Sequence, residues 1–476
     1  MLFAGVAFAE GGYYNGPLGG RTAGRAGAVA AKADDLSAVS YNPAGLANIE
    51  STTFEFGNQA SYNAYSFTRA PTLDYGADPD QPPQVTFDKA ANGKPWQGIV
   101  PMLAVASKLG YQDWAFALTA YAPPGISNLS FPLSGGNRYM MLDREAIFLK
   151  YVASAAWKHN DVFGIGASAE WIHVPRLVYS LVIDASTFRG TNNPVSSALD
   201  MVATMKASSL FTFNATLGAW YRPVPSLVFG LSGQVVPANV VARGNLSVVP
   251  LDTALGDRVY LTTQDGVPAD DVKVTLPLPM LARAGVRYRN LVNNAERFDV
   301  ELDVEYVTWS RVNRFVVDAN NKVANYAGGR VDIDKINIEK QWRDTIAVRL
   351  GGDYQVLPGL VTLRAGGYYE SGVAQPAYSN VDFSGAAQYG GALGVSIFFR
   401  RFELVAAYML KLQPSVTVSE AEGRVYQQVP GGRCSEDASF CSPAFAPGQT
   451  SPVVNAGTYD ASSHMLYLSV LYRYGP

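Results

Sequence analysis

The sequence predicts an all-β protein, a transmembrane antiparallel β-barrel of about fourteen strands with a small N-terminal hatch containing short helices. Three observations carry that expectation. From residue 52 onward, segments of roughly ten residues, the length of a transmembrane strand, alternate apolar with polar or small side chains. Charged residues make up only 16 % of the 476-residue chain, against about 25 % in a soluble domain. Mean hydropathy is nevertheless near zero, and no apolar run reaches the roughly eighteen residues of a membrane helix. Low charge without long apolar runs is what strands give when their lipid-facing and lumen-facing residues alternate.

The chain opens with apolar residues ending in Ala7-Phe8-Ala9, which read as a signal-peptide remnant (1–9) with its cleavage site before Glu10. Residues 10–50 are rich in Gly and Ala, lack strand alternation and form the expected hatch. Within them Asn42-Pro43-Ala44-Gly45 reads as a helix start. Asn caps free backbone N–H groups, and Pro is tolerated at the first helical position.

Residues 51–476 form the expected barrel. Its clearest strand runs from Phe298 to Tyr306: Val300, Leu302 and Val304 point one way, and Asp299, Glu301, Asp303 and Glu305 the other. A period of two is a strand, because a helix would scatter those carboxylates around its axis. A soluble sandwich also has one apolar face. Two features separate the cases. Soluble strands average about 5–6 residues, and here Trp157, Trp171, Trp220, Tyr221, Trp309 and Trp342 gather at segment ends, like interfacial girdles. Short connections carry turn formers, as at Asn160-Asp161 and Leu357-Pro-Gly359. Long ones fall near 69–97, 127–143, 177–205, 249–271, 312–341, 374–382 and 413–456. Their alternation places both chain ends on the periplasmic side.

Two adjacent segments predict an inward charge ladder. Arg283, Arg287 and Arg289 share one face of the strand before the acidic one. A symmetric turn at about 290–296 sets Arg287 opposite Asp299 and Arg283 opposite Asp303, and a slip of two residues keeps the parity. Lipid-facing charge costs about 2–4 kcal/mol at midplane, so both rows face inward. The ladder either stiffens the wall and docks the plug or offers a polar track. In the third strand, Tyr121-Ala-Pro123-Pro124-Gly125 lacks the N–H groups a sheet needs. It marks either a gap in the wall or the strand's outer end, and the strand-like character of residues 118–126 favours the gap.

Other chemistry is sparse. Cys434 and Cys441 share a loop-like stretch, and an exported pair of this kind forms a disulfide. With no second pair and no nearby His, they do not suggest a metal site. The three His lack nucleophile motifs beside them, the glycine pattern at Gly19-Gly20 is no phosphate loop, and no cofactor or enzymatic activity is expected. A net charge of −3 gives no reason to expect a nucleic-acid partner.

The segment from Leu18 to Leu46, with its Asp34-Asp35 step and Asn42-Pro43-Ala44, resembles the N-terminal hatch of the FadL/TodX family of outer-membrane transporters. Thr119 to Gly125 resembles that family's third-strand Pro/Gly stretch. Leu276-Pro-Leu-Pro279, Val304 to Ser310, Trp342 to Thr345 and Val454 to Tyr459 resemble later strand motifs. The C-terminus departs from the pattern, because Gly475-Pro476 follow the last aromatic residues. The resemblance implies a monomeric barrel in the outer membrane of a Gram-negative bacterium, in contact with its lipid. It also implies that hydrophobic small molecules, long-chain fatty acids or aromatic hydrocarbons, pass the hatch and leave sideways at a kinked third strand. A fatty-acid carboxylate requires a basic partner, for which Arg138, Arg144 and Lys150 are candidates; an aromatic hydrocarbon requires none. A general diffusion porin and a surface-interaction barrel are the alternatives, and a forty-residue plug argues against an open pore.

Overall fold

The structure, a computed structural model, describes residues 16–73, 81, 83–123, 128–184, 200–251, 259–326, 329–383, 385–427 and 453–475. The expected signal remnant, Cys434, Cys441, Pro124 and Gly125 lie outside the described residues. No helix among the described residues is long and apolar enough to cross a membrane.

Fourteen strands make one closed antiparallel wall. In chain order they are β1 Thr52–Arg69, β2 Trp96–Ser107, β3 Trp114–Tyr121, β4 Asp143–His159, β5 Phe163–Asp184, β6 Asp200–Val224 and β7 Leu227–Gln234. The second half continues with β8 Leu281–Val292, β9 Ala295–Val307, β10 Thr345–Leu357, β11 Val361–Glu370, β12 Gln388–Phe399, β13 Phe402–Leu412 and β14 Gly457–Tyr474. Each strand pairs with the next. The last returns to the first, from Thr52↔Tyr474 to Arg69↔Gly457. Joining β14 to β1 removes the free edges of the sheet from the bilayer, where unsatisfied backbone is expensive.

The burial pattern is the reverse of a soluble protein's. On β9, Asp299, Glu301, Asp303 and Glu305 are at most 2 % exposed, while Val300, Leu302, Val304 and Tyr306 are 43–45 % exposed. Apolar side chains therefore face the lipid and polar ones the lumen. Between β4 and β5 the turn residues Asn160 and Asp161 both adopt positive φ, the geometry that matches a tight hairpin to strand twist.

Most of one expected loop and both ends of another are sheet instead. Strands β5 and β6 run 22 and 25 residues, well beyond the roughly 9–11 that cross a bilayer, and occupy 177–184 and 200–205 of the expected 177–205 connection. The 312–341 connection is a hairpin of Arg314–Tyr326 and Gly329–Glu339. Leu177, Leu181, Ile183, Ala203 and Met205 keep one apolar face into this region, so the backbone stays paired above the membrane. The tops of β5 and β6 join Asn239–Pro250, Asp271–Pro277 and the hairpin in an extracellular antiparallel sheet. Its inner face is a continuous buried apolar cluster.

Residues 16–50 sit inside the lumen and carry α1 Gly20–Gly24, α2 Ala38–Tyr41 and a 3-10 turn at Pro43–Asn48. Helix α1 lies against β11–β14, and the 3-10 turn lies against β3–β6.

Candidate ligand cavity, hatch and wall gap

Asn42 organises the hatch turn. Its side-chain oxygen accepts from the Ala44 N–H at 3.2 Å, and its amide donates to the carbonyls of Ala30 (2.7 Å) and Ala219 (2.9 Å). One side chain thus caps the 3-10 turn, ties it to the preceding hatch loop and anchors both to β6. The Trp220 indole donates to the Ala44 carbonyl at 3.0 Å, and Ser168 donates to the Val39 carbonyl at 2.8 Å. Two wall glycines permit this approach. A Cβ at Gly218 would lie 2.1 Å from Asn42 Oδ1, and one at Gly166 would lie 2.5 Å from the Ala44 nitrogen. Gly45 is equally constrained, its Cβ position lying 2.1 Å from the Ala33 carbonyl oxygen.

On the opposite side the hatch is held by charge. Arg25, 1 % exposed, places one guanidinium nitrogen 2.8 Å from Asp299 and 2.6 Å from Asp353, and another 3.0 Å from Glu301. Lys32 lies 3.4–3.5 Å from Asp299, Asp353 and Glu296. The acidic row also accepts from the hatch backbone. Asp303 takes the N–H groups of Val29 and Ala30 at 2.7 Å each, and Glu301 takes that of Ala31 at 2.6 Å. The charge ladder therefore meets the plug directly. Its register is slipped by two from the symmetric expectation: Arg287 is opposite Glu301 and Arg283 opposite Glu305. A tight turn at Asn293-Asn294, both with positive φ, and an irregularity at Asn290/Leu291 cause the slip. Parity survives. Arg287 still reaches Asp299 diagonally, and Arg283 pairs with Glu305.

Among the described residues, the ladder between β3 and β4 is interrupted beyond Tyr121. Strand β3 has eight residues and stops at Tyr121, opposite Met102 on β2 and Lys150 on β4. Pairing to β4 resumes only at Leu129↔Arg144. Among the described residues, the 145–149 stretch of β4 has no strand partner on that side, although the Ala146 N–H donates to the Asn128 side chain at 3.3 Å. Tyr121 is buried, and its hydroxyl lies 2.6 Å from the Ser40 hydroxyl of the hatch; Pro123 follows, half-buried.

Above the hatch, the extracellular sheet holds a small apolar cavity of about 70 Å³. Leu177, Met205, Val274, Phe315, Ile336 and Phe383 are among its walls, and Arg144 is the one charged residue among the lining side chains. The Arg144 guanidinium stacks 4.2 Å over the Phe383 ring and donates to the Asp382 carbonyl. Next to it, Lys340 forms a buried ion pair with the Asp382 carboxylate and sits 5.1 Å over the Phe315 ring. Burial holds the Lys340 ammonium below its ordinary pKa, against the pull of Asp382. The Tyr179 hydroxyl also donates to Asp382, at 3.3 Å.

The other two basic candidates lie elsewhere. Arg138 pairs with Asp200 at 2.6 Å and Lys150 with Glu170 at 2.8 Å, and neither lines the cavity. Sequence reading missed Lys340, Asp382 and Phe383. They fall at the ends of expected loops, and no local pattern links them. The one available signal was a charged residue set between apolar ones at Val381-Asp382-Phe383.

Comparisons with known proteins show the family and the fold. A family model described as outer membrane protein transport protein (OMPP1/FadL/TodX) matches residues 1–381. Among solved structures, a FadL homologue of Pseudomonas aeruginosa superposes with a TM-score of 0.75 at 16 % identity, covering 99 % of this chain and 100 % of its own. The toluene transporter TodX of Pseudomonas putida gives 0.63 at 14 % identity, covering 97 % and 99 %. The toluene transporter TbuX of Ralstonia pickettii gives 0.61 at 16 % identity, covering 96 % and 99 %. A search of curated protein sequences found no match.

Proposed function

This chain belongs to the OMPP1/FadL/TodX family of outer-membrane transport proteins, and from that premise we propose that it imports hydrophobic molecules bearing one anionic head group, long-chain fatty acids above all. The supporting observation is the cavity. Its wall is apolar except at Arg144, with Lys340 and Asp382 immediately behind. An alkyl chain gains about 0.8 kcal/mol per buried CH₂, which favours the cavity's apolar lining as the place where a chain would enter. A carboxylate is stabilised by a buried guanidinium more than by any neutral donor.

The route is a turn, not a straight pore. Below the cavity the lumen is filled by the hatch and its ion pairs, which an alkyl chain cannot cross cheaply. The interruption of the β3–β4 ladder lies next to the Tyr121–Ser40 contact, so in this reading a small shift of the hatch at Asn42-Pro43-Ala44-Gly45 would join the cavity to an exit there. In this reading Tyr121 and Pro123 border a lateral exit into the bilayer. Arg283, Arg287, Asp299, Glu301 and Asp303 hold the plug and carry no ligand.

Binding of a long-chain fatty acid, its methyl ester and toluene to the detergent-solubilised protein tests the reading by calorimetry. The acid is expected to bind at least about tenfold more tightly than the ester, the minimum for a charge-assisted contact. Equal binding of acid and ester refutes the anionic head group. Tighter binding of toluene moves the substrate to the aromatic hydrocarbons.

A further inference from the structure

The outward face of the extracellular sheet carries a cluster of cations that the transport path does not use. Arg243 lies directly across from Lys273 in the register between 239–250 and 271–277. The row continues through Asp318 to Lys335, and Lys206 stands one same-face position higher on β6, opposite Asn245. Lys206, Arg243, Lys273 and Lys335 are all exposed, and none has a hydrogen-bond or ion-pair partner among the described residues. Two acids share this face: Asp318, one of whose oxygens accepts from the Asn320 N–H, and Asp271, which lies opposite Asn245 and pairs with Lys322.

Other cations on the outer rim are treated differently. Lys94 pairs with Asp143 and Glu145, Arg176 with Glu145, Lys89 with Asp460 and Lys322 with Asp271. Like charges directly opposite on adjacent strands destabilise a sheet, so the Arg243–Lys273 pair costs stability unless an anion lies between them.

The position identifies that anion. Below the row on the same face lie Leu210, 71 % exposed, and Val241, 39 % exposed. The Trp171 indole donates to the Leu210 carbonyl at 2.7 Å, which marks the aromatic girdle at the membrane surface. One same-face step along a strand is about 7 Å. The cations thus stand at the level where lipid tails give way to head groups, with Ser208 and Asn245 beside them as hydrogen-bonding neighbours. In the outer leaflet of this membrane, the anions at that level are glycolipid phosphates.

We propose that Lys206, Arg243, Lys273 and Lys335 form a binding surface for the phosphates of the outer-leaflet glycolipid, lipid A. The site grips phosphates from outside the barrel and does not depend on what the cavity carries. It anchors the extracellular sheet, and with it the roof of the cavity, to the lipid surface.

Phosphorylated lipid A and its dephosphorylated form, each titrated onto the full-length protein in phosphatidylethanolamine nanodiscs, test the proposal. The wild type is expected to prefer the phosphorylated form by about tenfold or more. The triple variant Lys206→Gln/Arg243→Gln/Lys273→Gln is expected to lose that preference while retaining heat-modifiable migration, the sign of a folded barrel. Equal affinity of the wild type for both forms overturns the proposal, and so does displacement of lipid A by an equal concentration of phosphatidylglycerol. Thermal unfolding in lipid-free detergent gives an independent check. Relief of the Arg243–Lys273 repulsion predicts a variant at least as heat-stable as the wild type, and a less stable variant refutes the repulsion on which the site rests.

Discussion

The hatch meets the barrel in two unlike ways. Toward β8–β11, Arg25 and Lys32 enter a ring of carboxylates, and the backbone from Val29 to Ala31 donates into Asp303 and Glu301. Toward β2–β4, Leu36, Val39, Leu46 and Ile49 rest on Met102, Ala104, Ala117 and Val152 without an ion pair among them. The ionic side is directional, and losing one partner strands a buried charge. The apolar side tolerates sliding, since dispersion contacts reform in a shifted position. The interruption of the β3–β4 ladder lies on the apolar side. In the proposed route, a plug fixed on one flank and free to slide on the other would pivot, with its free edge beside the exit.

The largest effect is expected where the ionic flank is cut. Arg25→Ala takes one buried cation from Asp299, Glu301 and Asp353, leaving Lys32, Arg287 and Arg364 to balance them. Removing one partner of a buried ion pair costs about 3–5 kcal/mol, which denaturant unfolding of the refolded barrel measures. The same substitution is expected to raise ion conductance in planar bilayers, because the plug loses its fixed flank. Unchanged stability together with unchanged conductance would mean that the carboxylates hold themselves without Arg25, and the pivot would be lost.

The second effect concerns the ligand and not the plug. Arg144→Leu keeps the volume and apolar character of the cavity while removing its charge. A charge-assisted hydrogen bond contributes about 1.5–3 kcal/mol, so fatty-acid affinity is expected to fall about tenfold to a hundredfold, with methyl-ester affinity unchanged. Arg138→Leu, whose wild-type side chain pairs with Asp200 away from the cavity, is expected to leave both affinities alone. An equal loss in both variants would place the head group elsewhere.

A smaller change sharpens the contrast between the flanks at the hatch turn. Gly218→Ala puts a methyl group where Asn42 Oδ1 lies 2.1 Å away and Pro43 Cδ 2.9 Å away. Overpacking of this kind costs about 1–3 kcal/mol. The ionic flank is not touched, so the strain is expected to push the turn toward β2–β4. Quenching of Trp220, which donates to the Ala44 carbonyl, reports that displacement. Identical quenching in variant and wild type would show that the wall yields instead.

The barrel was legible in the sequence because its physics is local. Alternation with period two reveals a wall between lipid and lumen residue by residue, and turn formers punctuate it at spacings that yield fourteen strands. The inward parity of Arg283, Arg287, Asp299, Glu301 and Asp303 followed from the same alternation. Their register did not, since it hangs on the φ angles of Asn293 and Asn294. The cavity was least legible. Arg144 comes from β4, Phe315 from the extracellular hairpin and Phe383 from a later loop, and only the closed sheet brings them together. Length misled as well: a strand that continues above the membrane looks like a loop when the count stops at the bilayer's thickness.

The smallest expected effect is a pH dependence, and its sign follows from Lys340. Burial lowers the pKa of this ammonium although Asp382 draws it upward. As pH rises through that lowered value, the cation behind Arg144 disappears, and the Asp382 carboxylate loses its counter-charge. Both changes oppose an anionic ligand, so fatty-acid affinity is expected to decline on the alkaline side, beginning below the pH at which a free lysine titrates. Arg144 stays charged throughout, so the decline is less than the loss in Arg144→Leu, under about tenfold. Lys340→Gln removes the slope while the wild type retains it. A slope that persists in the variant assigns the titration to another group, and the buried pair behind the cavity then has no part in binding.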